Sequence, residues 1–136
     1  MKTYFIFAGE ASGDLHGSAL IRSLKQKDPS CQINGVGGVL MRSEEFHCLI
    51  NTELFQVMGF TDVFLALPRL IPLFKKVRDD ILKSNPDCVI LIDYPGFNLR
   101  LARSLRKHGF KGKLVQYICP TVWAHGKGRI KTLAAH

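Results

Sequence analysis

Short apolar runs alternate with amphipathic stretches along this chain. TYFIFAG (3–9) is rich in β-formers and closed by Gly9, which predicts a first strand. Beyond it, Leu15, Ala19, Leu20 and Leu24 mark one face of a helix ending near Lys27, before Pro29. CQINGVGG (31–38) predicts a short second strand that runs into glycines. A brief helix through VLMRSEEF and a short strand HCLI follow. Across 62–86, Val63, Leu67, Leu70, Phe74, Val77 and Ile81 form an amphipathic stripe. Pro68 interrupts it, because an interior proline loses a hydrogen bond and clashes with the preceding turn. A short apolar helix and then a longer one, with Pro68 near its first turn, are expected. DCVILID (87–93) is apolar on both faces and predicts a buried parallel strand ending at Asp93. A helix from about Phe97 to Lys107 turns Leu101, Ala102 and Leu105 inward and Arg100, Arg103 and Lys107 outward. KLVQYIC (113–119) is a further strand ended by Pro120, and a helix begins at Lys127.

This alternation predicts a single α/β domain over 1–136, built on a doubly wound, mainly parallel Rossmann-like sheet. Ligands bind such sheets at the carboxyl ends of the strands. The segments expected there are Gly9–Asp14, Gly35–Gly38, Asp93–Asn98 and Cys119–Gly128.

Charge sharpens the picture. Residues 1–93 are close to neutral, whereas 94–136 hold nine Lys/Arg and no acid, so the net charge of +8 comes from the last third. That suits an anionic partner (nucleic acid, a phosphorylated substrate or an anionic lipid surface) or a solvated basic helix face. Cysteines at 31, 48, 88 and 119 form no CxxC pair and lie in or beside apolar runs, as buried thiols of a reduced cytoplasmic protein do. Neither they nor the five histidines show metal-ligand spacing, so no metal is expected. No signal-peptide pattern and no bilayer-length apolar stretch is visible.

The loop FIFAGEASGDLHG (5–17) spaces its glycines as G-x-x-x-G-x-x-x-G, not as a dinucleotide fingerprint, and lacks the Gly-Lys-Ser/Thr of a P-loop. Glu10 and Asp14 would repel a pyrophosphate. Glu10, Ser12 and Asp14 are candidate hydroxyl-binding groups, with helix capping by Ser12 or Asp14 as the alternative. In LIDYPGFN (91–98), a carboxylate at the end of a buried strand suits a general base, which singles out Asp93; bonding to N–H groups of its own turn is the alternative. Asn98 stands at the next helix start. In YICPTVWAHGKGRIK (117–131), Trp123 is a sugar or acyl platform or a core residue, and Lys127, Arg129 and Lys131 meet a phosphate or lie solvated. VMGFTDVFLALPRLIPLF (57–74) carries more apolar residues than one buried stripe needs. This suits membrane or acyl contact, a dimer interface, or ordinary packing.

Together AGEASGDLHG, FQVMGFTDV, PDCVILIDYPGFN and YICPTVWAHGKGRIK resemble the N-terminal half of the lipid-A-disaccharide synthase family, in order and over nearly the whole chain. The resemblance implies the N-terminal domain of an inverting B-type glycosyltransferase, a peripheral inner-membrane enzyme of Gram-negative bacteria without cofactor. It joins UDP-2,3-diacylglucosamine to 2,3-diacylglucosamine 1-phosphate, giving the β-1,6-linked disaccharide 1-phosphate and UDP. Asp93 falls on the family's favoured catalytic position. Glu10, Ser12, Asp14, Asn98, Trp123 and Arg129 would bind substrate. Phe60, Val63, Phe64, Leu67 and Leu70 would face membrane or acyl chains, and a homodimer is possible. Cys119 replaces the family's Ser, and His125 its Trp. The donor domain for the UDP-sugar has no counterpart here, so an inactive portion of the enzyme is expected. Alternatives are a flavodoxin-like module binding nucleic acid or another anion, and another B-type enzyme such as a sugar-nucleotide epimerase.

Overall fold

The computed structural model describes residues 2–59, 63–92 and 94–117, with side chains except at 56–59, 63–70 and 95. In chain order the elements are β1 (Thr3–Ala8), α1 (Ala11–Lys27), β2 (Gln32–Gly37), α2 (Val39–Arg42), β3 (His47–Asn51), α3 (Thr52–Gly59), α4 (Val63–Ser84), β4 (Cys88–Ile92), α5 (Pro95–Lys107) and β5 (Lys113–Tyr117). The five strands make one sheet in the order β3-β2-β1-β4-β5, and each neighbouring pair is parallel. This is the expected doubly wound α/β architecture. The chain winds from β1 out to β3, crosses back through α3 and α4, and winds from β4 out to β5. Beta-1 is central, with Ala8 opposite Ile92 of β4.

Both faces of the sheet are covered. On one face Phe5, Phe7, Val89 and Leu91 pack with Val77 and Ile81 of α4 and with Leu101, Ala102 and Leu105 of α5. On the other, Ile6, Ala8, Ile33, Ile90 and Ile92 pack with Ile21 of α1 and Met41 of α2. Alternate residues of β1 and β4 thus serve opposite cores, which explains their continuous apolar runs.

Three expectations need correction. The inward face of α1 is not the leucine face: Gly13, Asp14, Gly17, Ser18 and Ile21 are buried, while Leu15 and Ala19 are exposed and Leu20 and Leu24 are half-buried. Small residues win because the helix approaches its neighbours closely. A Cβ on Gly13 would lie 3.2 Å from Cγ2 of Ile92, and one on Gly17 only 2.5 Å from Sδ of Met41. Second, α4 runs unbroken through Pro68 and Pro72. Burial of Leu73, Val77 and Ile81, each worth roughly 1.5–3 kcal/mol, offsets a cost of about 3 kcal/mol for an interior proline. Third, α3 forms where no helix was expected. Among the described cysteines, Cys31 is buried, but Cys48 and Cys88 are only partly so.

Gly35 is the position where the sheet requires glycine. The register of β2 on β3 shifts between Gly35 and Val36, and Gly35 has φ +151°. A Cβ there would stand 1.9 Å from the carbonyl oxygen of Ile6 on β1. Gly35→Ala should therefore cost about 3 kcal/mol or more in urea-unfolding stability, and an Ala variant as stable as wild type would contradict this account.

Candidate functional site

The winding reverses between β1 and β4, so the loops after these adjacent strands depart to opposite faces and leave a crevice at their carboxyl ends. The β1–α1 loop supplies Gly9 to Ser12. The β4–α5 junction supplies Tyr94 to Asn98. Gly9 brings them together: a Cβ on it would lie 3.0 Å from Cδ2 of Tyr94 and 3.2 Å from Cε1 of Phe7.

Glu10 is the N-cap of α1, exposed and extended, with no side-chain capping bond. Ser12 is exposed in the first turn. Glu10 is thus the N-cap of α1 through its backbone and not through its side chain. Tyr94, which sequence reasoning passed over, is half-buried at the N-cap of α5. Burial raises its phenol pKa, and the negative charge of Glu10 raises it further. The two loops therefore share an electrostatic environment.

Asp14 is 6% exposed and is turned toward the start of α2. Its Oδ1 accepts from the main-chain N–H of Gly38 (2.8 Å) and Met41 (2.9 Å), and its Oδ2 from that of Leu40 (2.9 Å). It thus caps a helix, but α2 rather than its own. Gly38 has to lack a side chain, since a Cβ there would sit 2.6 Å from the carboxylate. Thr52 makes a further tie, its hydroxyl donating to the carbonyl of Ala8 at 2.6 Å in a buried setting.

Beneath Tyr94 lies an aromatic layer. Phe97 stacks on Phe7 (centroids 4.9 Å apart, planes 9°) and meets Phe55, Phe74 and Tyr94 at 5.4–5.6 Å. The four phenylalanines come from β1, α3, α4 and α5, so no local pattern announced the cluster. Asn98 follows on α5, 2% exposed, with its main-chain N–H bonded to the carbonyl of Tyr94 (2.9 Å). Its Oδ1 has no partner among the described residues.

Apolar side chains are also exposed at this end of the sheet. Leu15 (56% exposed), Val39 (66%), Leu40 and Leu54 are exposed near the starts of helices that leave the carboxyl ends of the strands. Arg100, Arg103, Arg106, Lys107, Lys111 and Lys113 of the basic third are all exposed. Among the described residues no cluster of three His, Cys, Asp or Glu side chains is placed to hold a metal, and no helix is long and apolar enough to cross a membrane.

The structure therefore brings Glu10, Ser12 and Asn98 to the crevice loops and builds Asp14 into their support. Asp93 lies outside the described residues, between Ile92 at the end of β4 and Tyr94 at the N-cap of α5. Phe60, Cys119, Trp123, His125 and Arg129 also lie outside them. Val63, Phe64, Leu67 and Leu70 belong to α4, but their side chains are outside the description.

The family model for lipid-A-disaccharide synthetase matches residues 4–136. The lipid-A-disaccharide synthase of Chlamydia caviae is 46% identical over 132 residues, covering 97% of this chain and 21% of the relative. That of Chlamydia trachomatis serovar D is 48% identical over 120 residues, covering 88% and 20%. That of Geobacter sulfurreducens is 42% identical over 128 residues, covering 94% and 33%. The chain thus spans a fifth to a third of the length of these curated relatives.

Two outcomes are expected from this geometry. Asp14→Ala leaves three main-chain donors without their acceptor and should cost about 3 kcal/mol or more in urea unfolding, with Asp14→Asn losing less because one acceptor oxygen survives. Wild-type stability in Asp14→Ala would refute the clamp. Tyr94, isolated as the difference between wild type and Tyr94→Phe in phenolate absorbance, should titrate above the ordinary tyrosine range. Glu10→Gln should move that titration down without restoring the ordinary value, because burial is the larger cause.

Proposed function

The chain belongs to the lipid-A-disaccharide synthetase family, and on that premise we propose that its crevice is the acceptor side of a disaccharide-forming glycosyltransferase. The substrates in this reading are 2,3-diacylglucosamine 1-phosphate as acceptor and UDP-2,3-diacylglucosamine as donor, the latter held by a second α/β domain of the family's B-type fold. The observation that carries it is the meeting of the β1–α1 and β4–α5 loops at the point where the winding reverses, inside the stretch matched by the family model. Support also comes from the apolar side chains exposed near the starts of α1, α2 and α3, which suit an acylated ligand better than a free nucleotide.

In this reading Asp93 is the general base. It takes the proton of the acceptor 6-hydroxyl as that oxygen attacks the anomeric carbon of the donor sugar. The bond from that carbon to the UDP oxygen breaks, and UDP leaves with the electron pair. Attack from the opposite side inverts the configuration to the β-linkage. Glu10, Ser12 and Asn98 hold acceptor hydroxyls, and Asp14 keeps their loop in place. Trp123 and Arg129 complete the acceptor site, with Arg129 toward its phosphate. Phe60, Val63, Phe64, Leu67 and Leu70 would meet acyl chains or the inner-membrane surface, and the exposed cations of α5 and β5 its anionic lipid.

Residues 1–136 can be placed in the Geobacter sulfurreducens relative in exchange for the segment they match, with disaccharide formation as the assay. Asp93→Asn in that chimera should lower turnover about 100-fold or more while leaving its thermal unfolding unchanged. Near-normal turnover would sink the general-base role.

A further inference from the structure

The carboxyl ends of β1, β4 and β5 form one row across the sheet. Ala8 pairs in register with Ile92, and Ile92 pairs with Tyr117. Gly9 directly follows Ala8 in the chain, and Asp93 directly follows Ile92. Neighbouring strands lie about 5 Å apart, so Tyr117 stands one strand away from the residue before Asp93. Paired residues of a sheet share a face, and Ala8 and Ile92 lie in the core under α1. Tyr117 therefore projects to the α1 side. Its contact with that helix is direct: the rings of His16 and Tyr117 have centroids 5.8 Å apart, with planes at 44°.

The first turns of α1 cross the same row. A Cβ on Gly13 would lie 3.2 Å from Cγ2 of Ile92 and 3.4 Å from Cβ of Ala8. His16, three residues on, shares that side of the helix and meets β5. Tyr117 is nevertheless 40% exposed, and among the described residues it joins neither core. Val115, two residues earlier on the same face, is 42% exposed, whereas Leu114 on the α5 face is buried. A phenol is thus held against His16 at the crevice end of the sheet while it stays open to solvent.

We propose that Tyr117, braced by His16, is the platform on which the acceptor sugar ring lies. A pyranose ring presents C–H groups on its faces and hydroxyls around its edge. The flat phenol takes the C–H face by dispersion and keeps its O–H for an edge hydroxyl. A general base has to reach the hydroxyl that it deprotonates, so the acceptor ring belongs close to position 93. Tyr117 is the exposed ring one strand from there, whereas Tyr94 packs against the opposite core. The platform rests on the acceptor-sugar reading given above. It adds Tyr117 as a binding residue and His16 as a positioning residue; both lie inside motifs of the sequence, and neither was marked by them.

The test uses the 136-residue chain and glucosamine 1-phosphate as the probe. Protons on one face of the bound sugar should shift upfield in the ring current of Tyr117, read by proton magnetic resonance. Tyr117→Leu keeps an apolar side chain but removes the flat ring. It should abolish the upfield shift and weaken probe binding about five-fold, with the melting temperature unchanged. Tyr117→Phe should keep the shift. His16→Ala frees the ring and should reduce the shift, with a smaller loss of affinity than Tyr117→Leu. A purely structural ring predicts lost stability and unchanged affinity in Tyr117→Leu. That result, a bound probe with no upfield shift, or the full shift persisting in Tyr117→Leu would each overturn the platform while leaving the acceptor reading standing. An undiminished shift in His16→Ala would overturn the brace. A wild-type chain that does not bind the probe would overturn the acceptor reading and the platform with it.

Discussion

A carboxylate buried between two helices has to be met by donors, or it would unfold its own surroundings. Asp14 is met by three, all main-chain N–H groups at the start of α2. Bonds of this charge-assisted kind are among the stronger ones a protein makes. They also explain the glycines. Gly17 and Gly37 give Met41 the room to sit between α1 and β2, and Gly38 lets the chain pass directly against the carboxylate. The small-residue face of α1, the four-residue α2 and the glycine-rich end of β2 are therefore one arrangement. Without it the first turn of α1, which presents Glu10 and Ser12, would have no fixed position over the sheet.

The same bond set bears on what the crevice binds. Amide donors at the start of a helix after β2 are a natural anion site. Here the protein's own carboxylate fills it. The crevice beside it is left with an exposed carboxylate and hydroxyl on one side and with a phenol and a buried carboxamide on the other. These groups recognise neutral hydroxyls more readily than a pyrophosphate. The charge argument made from the loop alone, that Glu10 and Asp14 disfavour a nucleotide cradle, thus acquires a physical form for Asp14, which occupies the donors itself.

The strands and the order of winding were legible because strands buried on both faces are written as continuous apolar runs, and DCVILID and TYFIFAG are such runs. Helix faces were less so. In α1 the leucines looked like the inward stripe, but close approach rewarded glycine and serine, which carry no hydrophobic signal. In α4 the proline rule was overridden by burial farther along the same helix. The role of Asp14 was hidden because its partners lie 24 to 27 residues away and are main-chain groups, which any sequence could supply. The aromatic layer was hidden for a related reason: Phe7, Phe55, Phe74 and Phe97 meet only once four elements are in place.

That layer gives the two sides of the crevice different mechanical characters. On the α1 side, position is fixed by hydrogen bonds to main chain, which are directional and leave little room for adjustment. On the α5 side, Tyr94 rests on Phe7 and Phe97, and the ring contacts constrain it by shape. Gly9 is the point of contact between the sides, since any side chain there would press on Tyr94. A group held at the β4–α5 junction is thus referenced to the sheet through aromatic packing and to the β1–α1 loop through one glycine. On the acceptor-side reading proposed above, such a frame would hold a base still while the polar groups of both loops sort the ligand hydroxyls.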